Sequence, residues 1–294
     1  MEEVRPGFEN IEDVTARLER AGYLSDETIS TVVYLADKLM KPLLVEGPAG
    51  AGKTELAKTI AVTLDVPLVR LQCYEGVDET KTLYEWNYKK QLLRIQAGQG
   101  ASWDELSDDI FSEPFLLERP VLKAIRSAEP VVLLIDEVDK LDLEAEALLL
   151  EALADWQVTI PEMGTISARQ IPFVVLTSNN VRELTEALKR RCLYLFLDYP
   201  DAEREKAIVL ERVPGIEEQL ATEVVRIVRN LREMELKKAP SIAETIDWAR
   251  TLIELNVRTL DEDVVRRTLS VLLKFQTDLE NASENLKLGG APAR

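Results

Sequence analysis

The sequence predicts an α/β domain built on a five-stranded parallel sheet, followed by an all-α segment. Two observations lead there. Up to residue 199, short apolar runs alternate with stretches of helical periodicity, the pattern of a doubly wound sheet. After Asp198-Tyr199-Pro200 the strand signals stop, and apolar residues recur at i, i+3 and i+4 instead.

The elements follow in order. Within the helical first 40 residues, Ser25 is placed to cap a helix whose apolar positions are Ile29, Val32, Val33, Ala36, Leu39 and Met40, and Pro42 ends it. Leu43-Leu44-Val45 reads as a short buried strand. The turn from Gly47 to Gly52 leads into a helix with Leu56, Ala57, Ile60, Ala61 and Leu64 on one face. A second strand, Leu68 to Cys73, follows Pro67, which is tolerated at the start of a strand but not in its middle. Residues 75 to 112, rich in Tyr, Trp, Gln and Asp without a sustained helical period, read as an insertion. Helical character resumes from Phe115 to Ser127. Val131 to Ile135 has no polar alternation and reads as a fully buried parallel strand, with a helix from Leu143 to Ala154 after it. Trp156 to Ile160 and Thr165 to Ile171 read as the arms of a hairpin around a four-residue loop, Pro161 to Gly164. Phe173 to Thr177 and Leu193 to Leu197 complete the five strands. Helices are expected over 201 to 212, 215 to 233, 241 to 254 and 261 to 279. The expected organisation is an α/β domain over 1–199, with the insertion at 75–112 and the hairpin at 156–171, a helical domain over 200–280, and a frayed tail over 281–294.

Composition narrows the function. The 294 residues suit one large domain or two smaller ones, since single cores seldom grow past roughly 250 residues. Hydrophobic residues at 46% and charged residues at 30% describe a globular chain rather than a disordered one. Apolar runs such as Val131 to Ile135 fall far below the ~20 residues that span a bilayer. The acidic start Met1-Glu2-Glu3-Val4-Arg5 lacks the apolar stretch of a secretory signal, so a cytoplasmic location without a membrane span is expected. Thirty-six basic against 53 acidic residues leave a charge of −17, which repels a phosphate backbone and disfavours nucleic acid as the main ligand. Histidine is absent, which excludes a His base, a His triad and a His metal ligand. Cys73 and Cys192 form no C-x-x-C, so neither a zinc site nor a disulfide framework is indicated.

Four segments carry chemistry. Gly47-Pro48-Ala49-Gly50-Ala51-Gly52-Lys53-Thr54 fits the phosphate-loop pattern G-x-x-x-x-G-K-[ST] between a strand and a helix, and with Glu55 it makes the expected nucleotide-binding segment. Its glycines let backbone N–H groups face the phosphates, Lys53 reaches the β/γ oxygens, and the Thr54 hydroxyl ligates Mg2+. Asp136 and Glu137 end an apolar strand at the edge where open sheets bind ligands. Asp136 is expected in the magnesium shell, and Glu137 as the group that polarises the water attacking the γ-phosphate of ATP. At the end of Phe173 to Thr177, Asn179 is placed to orient that water or sense the γ-phosphate. Arg190 and Arg191 close a short helix, either as cations favoured at a helix C-terminus or as an arginine finger offered to a neighbouring subunit.

Taken together, these residues resemble the AAA+ ATPases of the MoxR type. Ile135-Asp-Glu-Val-Asp, Trp156-Gln-Val-Thr-Ile-Pro-Glu, Thr177-Ser-Asn-Asn and Ala187-Leu-Lys-Arg-Arg-Cys-Leu-Tyr are similar to the CoxD-like branch in particular. The resemblance implies a P-loop AAA+ core with a helix-2 insertion at 75–112, a pre-sensor-1 hairpin at 156–171 and a helical lid. It implies Asn179 as sensor 1 and Arg191 as the finger, with Arg190 its neighbour. It also implies a homo-hexamer acting as a chaperone with a von Willebrand factor A domain protein, on a metalloenzyme client related to carbon monoxide dehydrogenase. One departure stands out. Where relatives carry a sensor-2 arginine this chain reads Lys238-Ala-Pro-Ser-Ile242-Ala, which leaves Lys237, Lys238 or Arg250 to sense from the lid, or no residue at all.

The readings weighed against an ATP-hydrolysing remodeller are a nucleotide-switched scaffold with little turnover, a nucleic-acid motor of the McrB-like restriction kind, and a small-molecule P-loop kinase. The retained Glu137 favours hydrolysis, the acidic charge argues against the motor, and Arg190/Arg191 with a separate helical domain argue against the kinase.

Overall fold

Residues 7–76, 79–97 and 109–285 are described by a computed structural model, and they divide into two units. The first comprises Met1–Gly47 with Lys53–Phe196, the second Pro48–Gly52 with Leu197–Arg294. The first unit runs α1 (Ile11–Arg20), α2 (Glu27–Leu39), β1 (Leu43–Glu46), α3 (Lys53–Leu64), β2 (Leu68–Gln72), α4 (Glu79–Thr82), β3 (Tyr84–Trp86), α5 (Tyr88–Ala97), β4 (Leu116–Glu118), α6 (Pro120–Arg126), β5 (Val132–Asp136), α7 (Leu143–Ala154), β6 (Gln157–Ile160), β7 (Gly164–Ser167), β8 (Phe173–Ser178), α8 (Glu186–Arg191) and β9 (Leu193–Phe196).

The five expected core strands form one parallel sheet in the order β2-β5-β8-β1-β9. Position explains composition here. Every residue of β5, β8 and β1 is buried, because these inner strands are covered on both faces, whereas β2 and β9 lie at the edges and are partly exposed. Leu133, Leu134 and Ile135 are 0 to 1% exposed, and burying side chains of this size stabilises by about 1.5 to 3 kcal/mol each. The register sets Glu46 opposite Ser178, and Gln72 opposite Asp136. The C-terminal ends of β2, β5, β8 and β1 therefore present their polar tips along one edge.

Several local expectations are corrected. Asp26, not Ser25, caps α2: its carboxylate accepts from the Ile29 N–H at 2.8 Å, while the Ser25 hydroxyl lies 3.1 Å from that of Ser30. The stretch read as an insertion without a sustained helical period holds α4, β3 and α5 among its described residues, and residues 77–78 and 98–108 lie outside them. The helix expected from Phe115 begins only at Pro120, which suits a first helical position because it lacks an N–H. Leu116–Glu118 instead pairs antiparallel with Tyr84–Trp86. In the hairpin, Gly164 pairs with Ile160, so the loop is one residue shorter than expected, and β7 stops at Ser167.

The second unit contains α9 (Ala202–Arg212), α10 (Glu218–Arg232), α11 (Ile242–Glu254), α12 (Glu262–Leu272) and α13 (Gln276–Asn285). Its core gathers Val224, Val228, Leu231, Leu252 and Leu269 around the fully buried Trp248, whose indole N–H donates to the Thr268 hydroxyl at 2.8 Å. The single helix expected over 261 to 279 is two. Leu273 takes an extended conformation, and beyond the break α13 brings the buried Asp278 carboxylate to accept from the N–H groups of Lys237 and Lys238 at 3.0 and 3.3 Å. α13 runs past residue 281 to Asn285, and residues 286–294 lie outside the described ones. No helix among the described residues is long and apolar enough to cross a membrane.

Candidate active site

The site grows from the strand ends. After β1 the chain turns at Gly47, whose N–H donates to the Ser178 carbonyl at 3.3 Å, and α3 starts at Lys53. The Lys53 ammonium is buried. It donates to the Gly47 carbonyl at 2.7 Å and to Asn179 Oδ1 at 2.8 Å, so the expected phosphate-binding cation and the expected sensor are brought together. Burial lowers the Lys53 pKa, against which the Asp139, Asp136 and Glu137 carboxylates act to keep it charged.

Thr54 and Asp136 also meet. The Thr54 hydroxyl donates to Asp136 Oδ1 at 2.9 Å, and the Thr177 hydroxyl donates to the same oxygen at 2.6 Å. The other oxygen, Oδ2, is bonded by the Arg70 guanidinium from the edge strand β2. Glu137 turns away from the strand in a left-handed conformation, φ 59°, and its N–H donates to the Thr177 hydroxyl at 2.9 Å. Its carboxylate is held by an ion pair with Lys140 and accepts from Gln72 Nε2 at 3.1 Å. The hydrogen bond to Glu137 raises the Lys140 pKa. Buried Asp139 accepts from the N–H groups of Asn179 and Val181 at 3.1 and 2.9 Å, which fixes the loop that presents Asn179.

Arg190 and Arg191 stand apart from this cluster. Arg190 is exposed and pairs with Glu186, and Arg191 donates to the Ala187 carbonyl at 3.0 Å while its Nε is buried with no partner among the described residues. The helix that carries them is tied down at its other end. Thr185, its N-cap, donates its N–H to the wholly buried Glu146 carboxylate at 2.8 Å, and Arg182 donates to the same group at 2.7 Å. The sequence alone does not single out Arg70, Gln72, Asp139, Lys140, Glu146 or Thr177. The available signals are a Glu on the buried face of α7 beside Leu149, and polar residues alternating along the end of β2.

Pro48–Gly52 belongs to the second unit. There the Tyr199 hydroxyl donates to the Ala49 carbonyl at 3.0 Å, and the Ile242 N–H meets the Gly50 carbonyl at 3.4 Å. Gly50 has φ +78°, and a Cβ on it would lie 2.0 Å from that of Ser241, so only glycine fits. The three cations considered for lid sensing have partners elsewhere among the described residues: Lys238 pairs with Glu244 at 3.1 Å, Lys237 lies 5.6 Å from the Phe275 ring centre, and Arg250 donates to the Arg212 carbonyl at 3.3 Å. Arg232 is largely covered in this unit, its side chain 9% exposed. It makes a two-pronged ion pair with Glu205, at 2.7 Å each, and stacks 4.2 Å from the centre of the Tyr199 ring. Glu244 completes a capping box with Ser241; burial would raise its pKa, but the bonds from Ser241 and Lys238 outweigh that and lower it.

Comparison with known proteins bears on this geometry. Residues 43–197 match the model of the ATPase family associated with various cellular activities (AAA). An uncharacterised protein of Staphylococcus epidermidis is 26% identical over 239 residues, covering 79% of this chain and 83% of that one. An uncharacterised protein of Staphylococcus aureus is 26% identical over 238 residues, covering 79% and 82%. Two mutant forms of Thermotoga maritima RuvB share the fold at a TM-score of 0.50, with 20% and 19% identity, covering 91% of this chain and 73% of theirs.

Proposed function

The chain belongs to the AAA family of ATPases, and from that premise we propose that it binds Mg·ATP at the C-terminal edge of its parallel sheet and hydrolyses it to remodel a protein partner. One observation carries the reading. Three segments far apart in sequence converge, with Lys53 2.8 Å from Asn179 and Thr54 2.9 Å from Asp136. Thr54 and Asp136 would hold magnesium, and their hard oxygen donors with a single carboxylate suit an ion that keeps waters and phosphate oxygens as its other ligands. Bound there, the ion supplies charge neutralisation of the phosphate chain. Lys53 neutralises the β/γ oxygens, Asn179 orients the γ-phosphate, and Glu137 accepts a proton from the attacking water.

At the finer level, the motifs support a MoxR-type, CoxD-like remodeller in the cytoplasm. It would work as a homo-hexamer with a von Willebrand factor A domain partner on a metalloenzyme client, with Arg191 reaching a neighbouring subunit's ATP. One feature favours the alternative of a nucleotide-switched scaffold. The Glu137 carboxylate is already engaged by Lys140 and Gln72, an arrangement that suits slow turnover.

Two substitutions test the proposal. Lys53→Ala should abolish ATP binding measured by calorimetry, and undiminished binding would remove the site assignment. Glu137→Gln should bind ATP but hydrolyse it at least ~10²-fold more slowly. Wild-type turnover no faster than that of Glu137→Gln would favour the scaffold.

A further inference from the structure

We infer that Arg70 is a built-in counter-cation of Asp136 that competes with magnesium for this carboxylate, and so sets how strongly nucleotide binding depends on Mg2+. The inference rests on the proposed Mg·ATP site and adds to it a residue outside the phosphate loop and the Asp136-Glu137 pair.

Geometry carries it. Arg70 and Gln72 are two residues apart on β2, which places both on one face of the sheet, and Gln72 sits opposite Asp136 in the register. The Arg70 guanidinium bonds both Asp136 Oδ2 and Gln72 Oε1. Asp136 divides its two oxygens: Oδ1 takes the Thr54 and Thr177 hydroxyls, and Oδ2 takes Arg70, its one ion pair among the described residues. The two partners differ in burial, for the Asp136 side chain is 4% exposed and that of Arg70 47%. A nearly buried carboxylate needs a counter-charge, because an uncompensated charge there is costly. A half-exposed guanidinium can return to water while its stem stays against the strand. Arg70 therefore suits a cation that holds Asp136 ionised and oriented until another cation arrives.

A divalent ion held by Thr54 and Asp136 would share a carboxylate with Arg70, and two cations on one carboxylate repel each other. Magnesium and the Arg70–Asp136 pair thus weaken each other, and by linkage the loss of Arg70 strengthens the coupling between Mg2+ and nucleotide. The Arg70 pair is partly exposed and screened, so the effect belongs to the lower part of the usual range.

The test uses the full chain and a non-hydrolysable ATP analogue, whose dissociation constant is measured by calorimetry in EDTA and in excess Mg2+. The ratio of the two constants is the readout, and it is independent of turnover. Arg70→Gln should raise that ratio about three- to tenfold. In an Asp136→Asn background the same change should leave the ratio unaltered, because the carboxylate under competition is gone. An unchanged or lower ratio in Arg70→Gln overturns the inference, and so does a rise that persists in the Asp136→Asn background, since that would be a general charge effect. If Arg70→Gln fails to fold, Arg70→Lys replaces it. Its point charge cannot make the planar two-way bond to Asp136 and Gln72, so an intermediate rise is expected and a wild-type ratio overturns the inference. A wild-type chain that binds no analogue in either condition removes the proposed function and this inference together, whereas normal binding with an unmoved ratio removes the inference alone.

Discussion

Cys73 lies buried just past the end of β2, and burial first, then the Asp136, Asp139 and Glu137 carboxylates, push its thiol up to about 12 from an ordinary value of 9.0. At pH 8 only about one molecule in ten thousand would then carry the thiolate, so iodoacetamide should label Cys73 in urea but not in the native protein. Mass spectrometry of the Cys73 peptide checks this, and rapid native labelling would contradict the burial. The same shift has a sign in stability. The folded state favours the neutral thiol, so its contribution is complete below pH 9, where the unfolded thiol is also protonated, and declines as pH rises toward 12. Lys140 gives a second residue-scale expectation. Its ion pair with Glu137 is part-exposed and worth about 0.2 to 1 kcal/mol, so Lys140→Ala should free the carboxylate and raise basal ATP turnover about 1.5- to 5-fold. A fall in turnover would mean that Lys140 positions Glu137 productively. At this scale the phosphate loop, Asp136, Glu137 and Asn179 were legible because each sits at a fixed offset from a strand end. Arg70 and Asp139 were not, because their roles depend on which strands become neighbours.

Among the elements, the clearest structural dependence is that of α8 on α7. Glu146 is wholly buried and receives the Thr185 N–H, the Thr185 hydroxyl and Arg182. Glu146→Ala would leave the N-cap N–H without its acceptor and Arg182 without its ion-pair partner, which should destabilise the first unit by about 2 to 4 kcal/mol in urea unfolding. Glu146→Gln, which can keep one acceptor, should lose less. A loss under 1 kcal/mol for Glu146→Ala would show that water or other groups replace the carboxylate. The five core strands were readable because buried parallel strands are apolar without alternation, and Val132–Asp136 and Phe173–Ser178 stand out in any window. The region from 79 to 118 was not. Its elements are three to ten residues long, and Tyr84–Trp86 becomes a strand only by pairing with Leu116–Glu118, a partner invisible to local periodicity. The break between α12 and α13 was hidden for a related reason. Leu272, Leu273 and Phe275 continue an apolar pattern, and the turn there is set by where Asp278 finds its donors.

For the whole molecule the decisive question is whether one chain suffices for hydrolysis. Arg191 has no bond to Lys53, Thr54, Asp136 or Glu137 among the described residues, its guanidinium reaches only the Ala187 carbonyl, and its Nε is left unpaired. A cation kept in this way gains nothing from its own site, which fits a group that finds its partner on another copy of the chain. Arg191→Ala should accordingly leave ATP affinity nearly intact while turnover falls about 10³-fold or more, since a finger meets charge that develops only in the transition state. Arg190→Ala should do less, because Arg190 is exposed and already paired with Glu186. Mixing Arg191→Ala chains with Lys53→Ala chains then separates the two possibilities. In a ring of both, a site with Lys53 intact can receive Arg191 from the neighbour, so activity should exceed that of either mutant alone. If native mass measurements find mixed rings and the mixture stays inactive, Arg191 acts within its own chain or only closes its helix, and the proposal of a ring loses its main support.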